Sequence, residues 1–149
     1  MPTADTDWIE QATTKLRESG RRSGGARAEV IARLATEGCA VSADQIADSL
    51  RDEGRKVARA SVYRALEALE QVSLVQRVEL GDGSSRWERI GGGDHHHHHH
   101  LVCRSCGRIE PFENEPLERA LDSLSDAEGF TVDSHDVTLH GRCSRCSGQ

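Results

Sequence analysis

Two Cys-x-x-Cys pairs, Cys103-Arg-Ser-Cys106 and Cys143-Ser-Arg-Cys146, limit what this chain can fold into more than any other feature. Each pair projects two thiols from a tight turn, and bringing the turns together completes a tetrahedral set of sulfurs at about 2.3 Å from a Zn²⁺ ion. Gly107 after the first pair and Gly141 before the second relieve the crowded backbone of such turns. Four thiolates leave no position for water, which makes the expected zinc structural and not catalytic. The competing readings are a redox pair or two disulfides. A thioredoxin-type site needs one such pair at a strand-to-helix turn, and a chain without an export signal keeps its thiols reduced. Residues 1–25 are polar and Arg-rich and lack the apolar centre of a signal peptide, and no run approaches the roughly 20 apolar residues of a membrane span. The expected location is the cytoplasm, with no membrane partner. A staple is also useful to a chain of 149 residues with 3% aromatics, whose only Phe and Trp residues are Phe112, Phe130, Trp8 and Trp87.

The N-terminal part reads as four helices and a hairpin. Helical patterns cover residues 8–19, 26–37, 43–53 and 59–71, with Val30, Ile31 and Leu34, then Ile46, Ala47 and Leu50, then Val62, Leu66 and Leu69 facing inward. Ser42-x-x-Gln45 has the form of a capping box, Gly38 is expected to end the second helix, and Gly54 to close the third. The β-like runs 74–80 and 84–90 flank Gly81-Asp82-Gly83, a turn sequence. Helices followed by such a hairpin describe a winged helix, whose last helix enters the DNA major groove. That helix presents Arg59, Ser61, Tyr63 and Arg64 near its start, and residues 15–33 hold six basic residues, Arg22 and Arg27 among them, against Glu18 and Glu29. An anionic partner is expected there. The other reading is a solvated polar helix face, and the net charge of −6 disfavours promiscuous nucleic-acid binding.

The C-terminal part is smaller and more acidic: residues 91–149 carry 5 basic and 10 acidic residues, against 14 and 15 in residues 1–90. The expected organisation is a DNA-binding domain over 1–90, a hinge over 91–94 and a metal-binding domain over 95–149, an α+β chain throughout. Strand patterns at 99–103 and 108–112 flank the first cysteine pair. Asn114 can cap a helix over 115–128 with Leu117, Leu121 and Leu124 inward, and 131–139 is again β-like. Six consecutive histidines occupy 95–100. An affinity tag is the dull reading, but the run is internal and two residues from a cysteine pair. On an extended strand, side chains alternate faces, so His97 and His99 point one way and His98 and His100 the other, and one segment can feed two metal sites. Glu110, Glu113, Glu115, Glu118, His135 and His140 could complete them, and spacing alone does not choose.

These motifs resemble the ferric uptake regulator (Fur) family. The histidines at 97–100 lead into Leu-Val-Cys-Arg-Ser-Cys-Gly, and with them stand Ala60-Ser-Val-Tyr-Arg-Ala-Leu, Val41-Ser-Ala-Asp and the closing Cys-x-x-Cys, so the likeness runs from about residue 17 to 146. It implies an N-terminal winged helix, a small C-terminal α/β dimerisation domain, and a homodimer that represses metal-homeostasis genes at a pseudo-palindromic double-stranded operator. By position it assigns the four paired cysteines to a structural zinc, and His97, His99, Glu118 and His135 to a second metal site. Glu88, His98 and His100 fall to a regulatory site across the hinge. At that site the chain departs from familiar members: Ala40 stands before Val41 where His is frequent, with Cys39 beside it, and Gln76 and Ile90 stand where zinc-type members place Asp and Cys. Cys39 is the first choice for the missing ligand and Glu110 the second, against a Cys39 that merely fills space. The cysteine stretch is similar to actinobacterial zinc uptake regulators, which implies a zinc-responsive repressor, with Fe²⁺ or another divalent metal as the alternative. A reading of another class is a metal-storage or metallochaperone protein. An enzyme is not expected.

Overall fold

In the computed structural model, which describes residues 4–80, 83–91 and 97–148, the chain divides into two compact units, Met1–His95 and His96–Gln149. In the first unit the Asp5 side chain accepts a hydrogen bond from the Trp8 N–H and so caps helix α1, Thr6–Glu18. Trp8, Ala12 and Leu16 recur every fourth residue on α1 and are completely buried. Helices α2 (Ala26–Leu34), α3 (Ala43–Asp52) and α4 (Arg59–Gln71) contribute the inward residues that their periodicity predicts: Val30, Ile31 and Leu34; Ile46, Ala47 and Leu50; Val62, Leu66 and Leu69.

The local signals explain where these helices start and stop. Ser42 and Gln45 form both bonds of a capping box, and Gly54 at φ +75° closes α3, its N–H reaching the Arg51 carbonyl. Helix α2 ends at Leu34, short of the expected 37. Hydrogen bonds from Thr36 and Glu37 to the Arg33 and Leu34 carbonyls tighten the chain into turns before Gly38 is reached. Strands β1 (Val75–Glu79) and β2 (Ser85–Arg89) pair antiparallel with Gln76 opposite Glu88 and Arg77 opposite Trp87. Val41 joins the wing through two backbone bonds to Trp87, at 2.9 and 2.8 Å. The expected winged helix is the fold of this unit. Of the Gly81-Asp82-Gly83 turn, residues 81 and 82 lie outside the described residues, as do 92–94 of the expected hinge and histidines 95 and 96.

The second unit is a three-stranded sheet in the order β4-β3-β5, built from β3 (His99–Cys103), β4 (Ile109–Phe112) and β5 (Thr138–Gly141). β4 runs antiparallel to β3, whereas β5 runs parallel to it, and a parallel neighbour needs a crossover. Helix α5 (Glu115–Glu128) supplies it, capped by Asn114 at one end and by left-handed Gly129, φ 67°, at the other. A short helix α6, Ser144–Ser147, follows the Cys143 turn.

Two expectations are corrected here. The run 131–139 is not a strand throughout: the strand starts only at Thr138, because Asp133, Ser134 and Asp136 interrupt the β-branched pattern with residues that favour turns. Nor does α5 bury its leucines. Leu117 and Leu121 are half-buried, Leu124 is 58% exposed, and no residue of α5 is fully buried. A helix of 14 residues is about 21 Å long, and strands of four and five residues span only about 13–17 Å, so the sheet is too small to cover it.

Candidate metal centres and nucleic-acid interface

The parallel register between β3 and β5 places Cys103 opposite Gly141, which carries the chain straight to Cys143. Cys106 is returned to the same place by the turn in which Gly107, at φ +73°, donates its N–H to the Cys103 carbonyl. As a result all four sulfurs lie within 4.8 Å of one another. Cys106 Sγ and Cys143 Sγ are 3.8 Å apart. The edge of a tetrahedron with metal–sulfur bonds of about 2.3 Å is about 3.8 Å, so the spacing suits a zinc ion. The protonation chemistry points the same way. Backbone N–H groups of Cys143 and Cys106 hold the Cys103 thiol down at about 6 against the effect of burial, while hydrogen bonding with the Cys143 and Cys106 sulfurs pushes Cys146 up to about 12. Four crowded thiols resist carrying four negative charges without a cation among them.

The second group sits where β3 faces α5. His99, completely buried, places Nε2 2.6 Å from Glu118 Oε1, and His135 Nε2 lies 2.7 Å from Glu118 Oε2. His97 Nε2 is 3.0 Å from His135 Nε2, and the four ligand atoms fall within 4.8 Å of one another. The Val137 N–H donates to His99 Nδ1 at 3.1 Å, which fixes the ring and leaves Nε2 directed at Glu118. Burial alone would raise the Glu118 carboxyl, but the hydrogen bonds with His99 and His135 and the electrostatic effect of the two rings outweigh it and leave it lowered. Three imidazoles around one carboxylate are a chemically suitable shell for a first-row divalent cation. Among the acidic residues that spacing left open, Glu118 is the one brought here. Glu113 and Glu115 are exposed, and Arg119 pairs with Glu115 at 3.0 Å.

The residues expected at the regulatory site belong to both units. Glu88, on β2, is 5% exposed, and its Oε1 accepts a hydrogen bond of 2.5 Å from Gln76 Nε2 on β1. Cys39 is half-buried between α2 and α3. In the second unit the His98 and His100 rings lie together, centroids 5.0 Å apart, as alternation along the strand requires. Glu110 stands opposite Leu101 and pairs with Arg108, so it occupies the sheet face of His99 and not that of His100.

Four of the six expected DNA-contacting residues, Arg59, Ser61, Tyr63 and Arg64, lie on α4, while Arg27 is on α2 and Arg22 precedes it. Tyr63 is 41% exposed, Arg64 Nη2 donates to Ser61 Oγ at 3.1 Å, and Arg59 pairs with Asp44 and Asp48 on α3, at 3.3 and 3.6 Å. Arg22 is exposed and its carbonyl accepts a bond from Arg27 Nη1 at 2.8 Å. The two acids that hold Arg59 were not anticipated from the sequence, although their four-residue spacing on α3 was readable as an acidic stripe. Gln76 as the partner of Glu88 was also missed, because cross-strand pairs depend on the hairpin register.

A family model described as "Ferric uptake regulator family" matches residues 18–140. The ferric uptake regulation protein of Bacillus subtilis (strain 168) is 34% identical over 109 residues, 73% of this chain and 73% of that protein. The peroxide operon regulator of the same organism is 27% identical over 139 residues, 93% of each. The crystal structure of the Vibrio cholerae ferric uptake regulator superposes with a TM-score of 0.79 at 26% identity, covering 88% of this chain and 98% of that one.

Proposed function

Since the chain belongs to the ferric uptake regulator family, whose members are metal-responsive transcriptional regulators that bind DNA, we propose that it is a zinc-responsive repressor of metal-homeostasis genes. It acts as a homodimer in the cytoplasm, on a pseudo-palindromic double-stranded operator. The observation that carries this reading is the pair of ligand sets, four cysteines and three histidines with Glu118, built into the unit that follows a winged helix. That arrangement also weighs against a storage or metallochaperone role, which has no use for a DNA-reading helix. No described helix is long and apolar enough to cross a membrane.

In this reading Cys103, Cys106, Cys143 and Cys146 hold a structural Zn²⁺, and His97, His99, Glu118 and His135 a second ion. Glu88, His98 and His100, with Cys39 as fourth ligand, hold the regulatory ion. The sheet face occupied by Glu110 favours Cys39 over it. A divalent cation held by these residues would supply the positive charge to which their donor atoms coordinate. Glu88 stands near the end of the wing strand, and His98 and His100 open the next unit, so a shared ligand set restricts the angle between units. In a two-fold dimer that angle governs the separation of the two α4 helices, and half-sites one helical turn apart, about 34–36 Å, are matched only by a fixed separation. Arg22, Arg27, Arg59, Ser61, Tyr63 and Arg64 then contact DNA, the arginines and Ser61 at phosphates or guanine and Tyr63 at a phosphate or thymine methyl.

Zinc is favoured by a Cys39 thiolate. Iron is the second reading, favoured by the Glu88 carboxylate with two imidazoles and by relatives named for ferric uptake. Operator binding measured with chelated protein, then with Zn²⁺ or Fe²⁺ restored, separates them: restoration by Zn²⁺ at lower free concentration supports the zinc reading, and restoration by Fe²⁺ alone supports the other.

A further inference from the structure

Within the first unit, the wing and α4 are joined by a closed circuit of side chains. Tyr63, on α4, meets Trp87 of β2 edge to face, ring centroids 6.0 Å apart and planes at 83°. On the other strand of the wing, Arg77 lays its guanidinium 5.2 Å from the Trp87 ring centroid. Arg77 Nη2 in turn pairs with Glu70 Oε2 at 2.9 Å, and Glu70 is again on α4. Tyr63 and Glu70 are seven residues apart, two helical turns, and so lie on one face of α4. The circuit runs from the exposed Tyr63 through Trp87 and Arg77 and back to the far end of the same helix.

Trp87 is 5% exposed and is fixed at its backbone by the two bonds to Val41. Among the described residues its indole Nε1 is buried with no hydrogen-bond partner. An unmade bond of this kind is unfavourable, so the indole is not held there by its N–H. Its contribution is the ring, which offers a face to Arg77 and meets the Tyr63 ring. Tyr63, with 41% of its surface open, has room to swing unless something restrains it.

We propose that Trp87, supported by Arg77 and Glu70, is a positioning residue that fixes the Tyr63 ring for sequence-specific contact with DNA. The inference rests on the reading of α4 as the recognition helix. It assigns the wing a part in base reading that is separate from any contact of the wing itself with DNA.

The test uses the full-length, Zn²⁺-loaded protein and two duplexes, one recovered by in vitro selection with that protein and one of random sequence. Trp87→Leu is expected to weaken binding to the selected duplex by about three- to tenfold, the range of an aromatic pair, and to leave the random duplex unaffected. Trp87→Phe, which keeps a smaller aromatic ring and also loses the unpaired N–H, is expected to bind the selected duplex more tightly than Trp87→Leu. In a Tyr63→Ala background Trp87→Leu is expected to cost nothing further. Arg77→Met, at a half-exposed side chain, applies the same test if Trp87→Leu does not fold, and its smaller loss is likewise expected to vanish with Tyr63→Ala. Equal losses on both duplexes, or losses additive with Tyr63→Ala, overturn the positioning role while leaving the recognition helix in place. If Tyr63→Ala alone has no effect on the selected duplex, both are overturned.

Discussion

His99 Nε2 and Glu118 Oε1 lie 2.6 Å apart although they are 19 residues distant in sequence, one on the central strand and the other on the crossover helix. The same carboxylate reaches His135 through its other oxygen at 2.7 Å, so Glu118 ties together the strand, the helix and the segment leading to β5. Glu118→Ala should therefore remove one metal ion per protomer and leave the buried His99 without its acceptor. An unsatisfied buried group costs about 1–3 kcal/mol, and the expected loss in urea unfolding of the metal-free protein is of that order. Elemental analysis showing unchanged metal content would contradict the site.

Acid should weaken this same node. The Glu118 carboxyl is lowered in the folded state from its ordinary value of 4.5, so the stabilisation it contributes is present above that pH and is lost as pH falls through the folded value. Metal-free wild type is expected to lose stability below about pH 4.5 more steeply than Glu118→Gln, which cannot titrate there. Parallel stability profiles for the two proteins would show that the histidine–carboxylate bonds do not form in solution.

The four-cysteine group predicts a different response. Replacing Cys143 by Ser leaves three sulfurs and an acceptor poorly matched to zinc, and β3, β5 and α6 meet at this point. Loss of the tightly held zinc and unfolding of the second unit are expected together, because the free energy of a structural zinc is largely folding free energy. Calorimetry and zinc analysis check it. Retained zinc with an unchanged melting profile would argue against a structural role.

Arg89 and Asp5 should anchor the end of the wing. Their side chains are 5% and 18% exposed, 2.9 Å apart, with the Arg89 guanidinium also 5.3 Å from the Trp8 ring. Asp5 also caps α1, so Asp5→Ala removes pair and cap together and should lower the urea midpoint of the first unit by the equivalent of about 3 kcal/mol or more. A change under about 0.5 kcal/mol, ordinary for a surface site, would show that the pair is open in solution.

Much of this was readable from residue type and local spacing. The cysteine pairs, the alternation of His97 to His100, the Ser42–Gln45 box and Gly54 all act through neighbours a few residues away, so a linear reading reaches them. Long-range geometry was less legible. Nothing local joins Asp5 to Arg89, Gln76 to Glu88 or Tyr63 to Trp87, because each depends on how the hairpin registers and how helices pack beneath it. The overlong strand at 131–139 and the inward leucines of α5 failed for a related reason: β-branched and amphipathic patterns state a preference, and the small sheet decides how much of it is met.

The recognition helix has its own check. Arg64→Ala is expected to weaken binding to a selected duplex by about tenfold, as loss of a charged phosphate or guanine contact does, with metal content unchanged. Wild-type affinity in this variant would remove α4 from the interface.

The most direct test is the affinity of the full-length protein for the selected duplex, by fluorescence anisotropy, as free Zn²⁺ is raised with the structural zinc already in place. The proposed linkage predicts a gain of about 5- to 150-fold that disappears when His100 is replaced by Ala. Equal affinity with and without added Zn²⁺ would contradict metal control of DNA binding.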